Sequence, residues 1–131
     1  MKVAKFVFMA AGIWGILITL PLYFLRDWIG VQLPPAITHP EFYYGFAGVV
    51  LAWQFAFLLI GSNPVRYRLL IIPAVVEKFS FVLASAALFS SGQITASQAG
   101  VAIPDLVLGL FFIASFLTTR RQTESAAGHQ I

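Results

Sequence analysis

Residues 65–89 read VRYRLLIIPAVVEKFSFVLASAALF, an apolar stretch with two arginines near its start and an adjacent acid and base in its interior. The hydrocarbon core of a bilayer is about 30 Å thick, so roughly 20 mostly apolar residues make a spanning helix. The stretch therefore predicts a transmembrane helix over 66–89. At about 1.5 Å per residue, Glu77 and Lys78 lie roughly 15 Å into it, near the middle of the membrane.

Three further segments have the same character, and we predict spans at about 4–25, 41–60 and 97–119. The chain of 131 residues is 60% hydrophobic and 10% charged, with a mean hydropathy of +0.88. Ordinary soluble domains are roughly one quarter charged, so this composition indicates a membrane protein surrounded by a lipid bilayer. We predict an all-α integral membrane protein, a four-helix transmembrane bundle forming one domain over 1–121, followed by a disordered cytoplasmic tail over 122–131.

The first and last spans each have an alternative interpretation. A basic start and an apolar run also describe a signal peptide, but its apolar core is normally about 7–15 residues. The first apolar run is longer, and no small-x-small cleavage site follows Leu25, so we expect an uncleaved helix. In the last span, Ser97 could cap a helix that kinks at Pro104; alternatively the regular helix starts at Pro104, with Asp105 in its first turn.

The basic residues are concentrated on one side of the predicted spans, and this asymmetry predicts the orientation of the chain. On one side lie Lys2, Lys5, Arg66, Arg68, Arg120 and Arg121. The opposite connections contain Arg26 as their only lysine or arginine. The positive-inside rule then places both termini in the cytoplasm, and we expect a bacterial inner membrane. Orientation accounts for the net charge of +3, so the charge does not indicate nucleic acid binding.

Small residues recur along the second and third spans. Gly48, Ala52 and Ala56 are four residues apart in span two, and Ser80 and Ala84 repeat that spacing in span three. Small-xxx-small patterns let transmembrane helices approach closely. We therefore predict these residues at helix-packing surfaces, within the bundle, in a homo-oligomer or in a larger membrane complex.

Four polar residues inside the spans are the candidate site: Gln54, Glu77, Lys78 and Asp105. Ionisable groups within a membrane are costly and by default indicate function. One interpretation is that Glu77 handles a proton or anchors a ligand. Another is structural, pairing Glu77 with Gln54 across a short turn and Lys78 with Asp105, although Asp105 is also near charges of the outer connection. A third is a contact with a partner subunit. Since consecutive helical residues point about 100° apart, the two side chains aim at one spot only if the lysine bends.

The sequence has no pattern typical of a catalytic or cofactor site. It lacks cysteine, which excludes disulfides, thiolate nucleophiles and Cys-ligated metals, and it has no HExxH, P-loop or GxGxxG. His39 and Glu41 are both possible metal ligands, but they flank a turn with no third ligand nearby in sequence. We expect a solvated loop histidine there, and we predict no metal and no cofactor.

The layout resembles the DoxX-like group of small four-span bacterial membrane proteins. The matching features are the length near 130 residues, two inside termini, the turn at 61–64 leading into Arg66-Tyr67-Arg68, and a charged residue within the third span. Some members of that group are associated with quinone-linked respiratory complexes. The resemblance therefore implies an accessory membrane subunit, and no functional residue is carried over from the group.

Three classes of function follow. The first is a non-catalytic accessory or scaffold subunit, favoured by the short loops and the missing catalytic pattern. The second is a small-molecule or proton binding or transport protein with a midplane site around Glu77. The third is an enzyme acting on a lipid-like substrate with Glu77 or Asp105 as acid or base, which would need a carboxyl group within hydrogen-bond reach of that substrate.

Overall fold

The computed structural model describes residues 2–129, which form helices and no strand. In chain order the helices are α1 (Lys2–Thr19), α2 (Arg26–Gln32), α3 (Pro40–Ser62), α4 (Ile71–Ser90), α5 (Ala96–Gly100) and α6 (Ile103–Gly128). Single 3-10 turns extend α1 (Leu20–Tyr23) and precede α4 (Arg68–Leu70). Four segments are long and apolar enough to cross a membrane: Lys2–Tyr23, Pro40–Ser62, Arg68–Ser90 and Ala96–Arg120. The predicted all-α, four-helix membrane bundle is confirmed.

Helix starts follow the local chemistry of the chain. Pro40 opens α3 with Glu41 in its first turn, where a missing N–H costs nothing and a negative charge suits the helix dipole. Before the last span, Thr95 rather than Ser97 is the cap. Thr95 Oγ1 accepts from the Gln98 backbone N–H at 3.3 Å, and Gln98 Oε1 accepts from the Thr95 N–H at 2.8 Å. This capping box begins the short α5, and the regular helix starts anew beside Pro104.

Two segment boundaries differ from the predictions, and one connection contains an additional short helix. The connection at 26–40 contains the short helix α2, and the regular helix of span three begins at Ile71. Helix α6 continues to Gly128, so the segment predicted as a disordered tail is helical that far. Good helix formers continue beyond Arg120, and the Arg120–Glu124 ion pair at 3.0 Å supports the added turn. Residues 130 and 131 of the predicted tail lie outside the described residues.

The spanning helices associate mainly as two antiparallel pairs, α1 with α3 and α4 with α6, which meet where α1 packs against α6. Three buried phenylalanines join the pairs. The Phe8 and Phe112 rings stack with centroids 4.2 Å apart, and Phe57 packs edge-on against Phe112 at 5.0 Å. These rings form the centre of the core, with Ile60 and Ile71 beside them.

Glycines set the close approach within each pair. A Cβ added at Gly12 of α1 would lie 2.9 Å from the backbone oxygen of Gln54 in α3, and one at Gly61 would lie 2.8 Å from Met9 Cγ. In the other pair, a Cβ at Gly109 would lie 2.8 Å from the Phe79 ring. The helices pack at these points only because no side chain intervenes.

The two ends of the bundle differ in chemistry. At one end, which we call the basic end, lie Lys2, Lys5, Arg66, Arg68 and Arg120. The other end we call the aromatic end. There the Tyr43 hydroxyl donates to the Leu22 carbonyl at 2.5 Å, and the ring centroids of Tyr43 and Tyr44 are 5.2 Å apart. The Arg26 guanidinium lies 5.7 Å from the Tyr44 ring centroid. Tyrosines of this kind are typical of a membrane–water interface.

Candidate functional site

Lys78 is the centre of a charged cluster between α4 and α6, which we define as Glu77, Lys78 and Asp105. Its side chain is only 6% exposed, and its ammonium donates to Asp105 Oδ1 at 3.1 Å. The same nitrogen lies 3.4 Å from Glu77 Oε2 and 5.2 Å from the centroid of the Phe57 ring. The predicted pairing of Lys78 with Asp105 is present, and the lysine bends far enough to reach both carboxylates.

Glu77 is the less satisfied of the two acids. Its side chain is 16% exposed, and its Oε2 atom is buried without a hydrogen-bond donor in the described part of the chain. The ammonium of Lys78 lies 3.4 Å from this oxygen and compensates its charge, but no hydrogen bond to the oxygen is formed within the described residues.

Asp105 is positioned by the start of α6. It follows Pro104 in the first turn of that helix, where the helix dipole favours a negative charge. Its side chain is 24% exposed and points at α4, since Gly109 one turn later lets α6 approach α4 closely. The outer-connection charges pair elsewhere: Arg26 lies 3.4 Å from Asp27, and His39 lies 3.4 Å from Glu41.

Gln54 does not join the charged cluster, and the predicted pairing with Glu77 is absent. Its side chain is buried against Gly15 of α1, and its Nε2 donates to the Val50 carbonyl at 2.9 Å. The prediction assumed that the short turn at 61–64 makes α3 and α4 close neighbours. In the structure α3 packs mainly on α1, so Gln54 faces α1 within its own pair and points away from Glu77 of α4.

The predicted helix-packing residues lie mostly on outer surfaces. Ala52, Ser80 and Ala84 are exposed, and Gly48 and Ala56 are half-buried. The residues that actually allow close approach are glycines that the sequence interpretation overlooked, Gly12 and Gly15 among them. Their three-residue spacing, on the face that also carries buried Ala4 and Ala11, was an available signal.

Arg68 was assigned to topology by sequence, and the structure adds a tertiary contact. Its Nε and Nη2 atoms donate to the backbone carbonyl of Phe116 at 3.2 and 3.0 Å. The guanidinium also stacks over the Phe116 ring at 3.7 Å. Arg66, two residues earlier, is exposed and lies 5.4 Å from the Tyr67 ring. Arg68 therefore fixes the start of span three onto α6.

His39 and Glu41 are both exposed on the connection before α3. Within residues 2–129, no group of three or more His, Asp or Glu side chains is close enough together to hold a metal ion. The cluster at Lys78 is therefore the site with the most developed chemistry.

No family model, curated protein or solved structure matches this chain. The resemblance to the DoxX-like group stays a prediction, and the function has to be argued from the site itself.

The cluster contains two carboxyl groups and one ammonium within contact distance. If both acids are ionised, the cluster carries one uncompensated negative charge. An isolated charge in the hydrocarbon region costs a few kcal/mol or more, and the exposed apolar side chains of α4, Val76 and Leu83, indicate that this level of the helix faces lipid. One further positive charge would neutralise the cluster.

Proposed function

We propose that this small multi-pass membrane protein binds a proton at its charged cluster and holds it on Glu77. The observation that supports the proposal is the buried Oε2 atom of Glu77, which has a lone pair but no donor within the described residues. A proton is the smallest positive charge that makes two acids and one lysine neutral. Asp105 is the less suitable acceptor, because the lysine already donates to it at 3.1 Å.

The protonated form of Glu77 gains a hydrogen-bond donor, and deprotonation returns a negative charge to the apolar layer. Each proton that enters or leaves therefore changes the electrostatic interaction between α4 and α6. We therefore expect the packing of α4 against α6 to depend on the proton, because protonation of Glu77 changes the charge beside the ion pair between Lys78 and Asp105.

Infrared difference spectroscopy of the purified protein in liposomes tests the proposal. Changing the pH should reveal a protonated carboxyl band that is absent from Glu77→Gln and retained in Glu41→Gln, which removes an exposed acid outside the cluster. Thermal melting of Glu77→Gln, an isosteric change, checks that the bundle is folded. A band that survives in folded Glu77→Gln, or the absence of any such band, would overturn the proposal.

A second candidate is an accessory subunit of a membrane complex, with both termini in the cytoplasm of a bacterial cell. It is supported by the small residues Ala52, Ser80 and Ala84, which are exposed on α3 and α4 and are available to another helix. Native mass spectrometry of the protein released from its own membrane in mild detergent tests it. A partner chain that dissociates in Ala84→Leu but stays bound in Glu77→Gln supports the accessory role, and a lone chain contradicts it.

A further inference from the structure

A groove of about 350 Å³ lies between the end of α4 and the start of α6, on the side of the charged cluster that faces the aromatic end. Its wall is built largely from small residues, including Ala86, Ala99, Gly100 and Ala102, with Phe89 at its side. A Cβ at Gly100 would meet no atom within 4 Å, so the space beside it is open. The short helix α5 contributes to the wall at the end of the groove that lies toward the aromatic end.

Ser85 is the polar group of this groove. The residue is 6% exposed, lines the groove, and makes no hydrogen bond within the described residues. A helical serine usually donates to the carbonyl four residues earlier, as Ser90 does to Ala86 at 2.6 Å and Ser115 to Phe111 at 2.9 Å. Among the described residues, its oxygen is not one of the fully enclosed atoms that lack a partner, so it is reachable from the groove. An occupant of the groove that brings an acceptor would supply the hydrogen bond that the hydroxyl lacks.

The depth of Ser85 identifies that acceptor. Ser85 follows Lys78 by seven positions, which is about 11 Å at the helical rise. With Lys78 near the middle of a hydrocarbon layer about 30 Å thick, Ser85 lies a few ångströms inside the outer boundary of that layer, and its hydroxyl faces the region where the ester carbonyls of phospholipids begin. The groove walls are apolar and carry no charged side chain, so they suit a hydrocarbon chain and do not select a headgroup.

We propose that the groove binds one acyl chain of a phospholipid, with the Ser85 hydroxyl donating to its ester carbonyl. The volume is at the lower end of the roughly 300–1,000 Å³ of ligand pockets, which suits a single thin chain. A neighbouring helix is the less suitable occupant. It would need a seam along most of its length, whereas this groove extends only from Val82 to Phe89 on α4.

Photo-crosslinking tests the assignment directly. The full-length protein is placed in nanodiscs containing phosphatidylcholine with a diazirine on one acyl chain, and the labelled peptides are identified by mass spectrometry. We expect labels to concentrate on the groove segments of α4, α5 and α6. Ala86→Leu, which fills the groove, should lower that labelling at least about fivefold, a loss typical of a removed apolar contact. Ala87→Leu is the matched control, since Ala87 is exposed and lies outside the groove.

Ser85→Ala and a lipid analogue test the hydrogen bond separately. Ser85→Ala should lower groove labelling roughly threefold, the usual net worth of one neutral hydrogen bond. An ether-linked phosphatidylcholine, which lacks the ester carbonyl, should label the wild type and Ser85→Ala equally weakly. Labelling spread evenly over all lipid-facing helices, labelling unchanged by Ala86→Leu, or cross-links that join two protein chains at the groove would overturn the proposal.

Discussion

Lys78 places a positive charge among buried groups, and its two neighbouring acids depend on it. Removing one member of a buried ion pair leaves an uncompensated charge, which is far more damaging than removing the whole set. The three charged side chains should therefore contribute to stability as a unit and not independently, because both carboxylates lie within 3.4 Å of the same ammonium nitrogen.

Lys78→Met should destabilise the folded protein by about 3–5 kcal/mol, the cost of unpairing a buried charge. The triple variant Lys78→Met, Glu77→Gln, Asp105→Asn should recover most of this loss, since no charge remains to compensate. Unfolding in mixed detergent, followed by circular dichroism, measures both. If the triple variant is as unstable as Lys78→Met alone, the cluster does not act as an electrostatic unit.

Gly12 supplies a second prediction at this scale. Gly12→Ala should destabilise by about 1–3 kcal/mol, the usual cost of overpacking a well-packed contact. The new methyl group would meet the Gln54 backbone oxygen at 2.9 Å, which cannot move without separating α1 from α3. Gly45→Ala is the control, because nothing lies within 4 Å of its added Cβ and alanine favours a helix. Equal melting curves for the two variants would contradict the close contact.

At the scale of elements, the segment that runs from Arg68 through α4 is joined to α6 by two polar contacts of different chemistry, with a groove beyond them. Arg68 binds the Phe116 carbonyl at the basic end, Lys78 binds Asp105 near the middle, and Ser85 lines the groove between these helices toward the other end. The two polar contacts have different requirements, because a planar guanidinium forms paired hydrogen bonds and stacks on a ring, whereas an ammonium does neither.

Arg68→Lys should therefore lower stability by about 1 kcal/mol, although the charge and the topology signal are kept. Lysine loses one of the two hydrogen bonds to the Phe116 carbonyl and the stacking on its ring. Arg66→Lys should leave the melting temperature unchanged, because Arg66 is exposed. Thermal melting of the two variants side by side measures the difference, and equal losses would show that Arg68 contributes only its charge.

The elements also show what sequence could and could not predict. Span positions followed from apolar length, and the Lys78–Asp105 pair was one of the alternatives that two opposite charges inside the spans left open. The Gln54–Glu77 pair was wrong because a short turn does not determine which helix a span packs against. The close approach at Gly12 and Gly15 determines that α3 packs against α1. The pattern Thr-x-x-Gln at 95–98 is also a sequence signal for a helix start, and it predicts the observed capping box better than Ser97 does.

For the molecule as a whole, the basic residues collect at one end of the bundle, and this asymmetry predicts the orientation in the membrane. A reporter that is active only in the periplasm should stay inactive when fused after Arg121, and a fluorescent protein at the same place should be bright, since cytoplasmic loops carry the excess of Lys and Arg. Changing Lys2, Lys5, Arg66 and Arg68 to glutamine should make the orientation mixed. An active periplasmic reporter on the wild-type chain would reverse the predicted topology.

The pairing of α1 with α3 and of α4 with α6 has a consequence for how the chain is made. Each pair closes within its own half of the polypeptide, so the first half has all its close glycine contacts before the ribosome has synthesised the second. The phenylalanine core, where Phe112 of α6 meets Phe8 of α1 and Phe57 of α3, is completed only with the last span. The peptide link at 63–67 is thus a tether between two hairpin-like units, and a gene split there should still give a functional protein when both fragments are expressed in one cell.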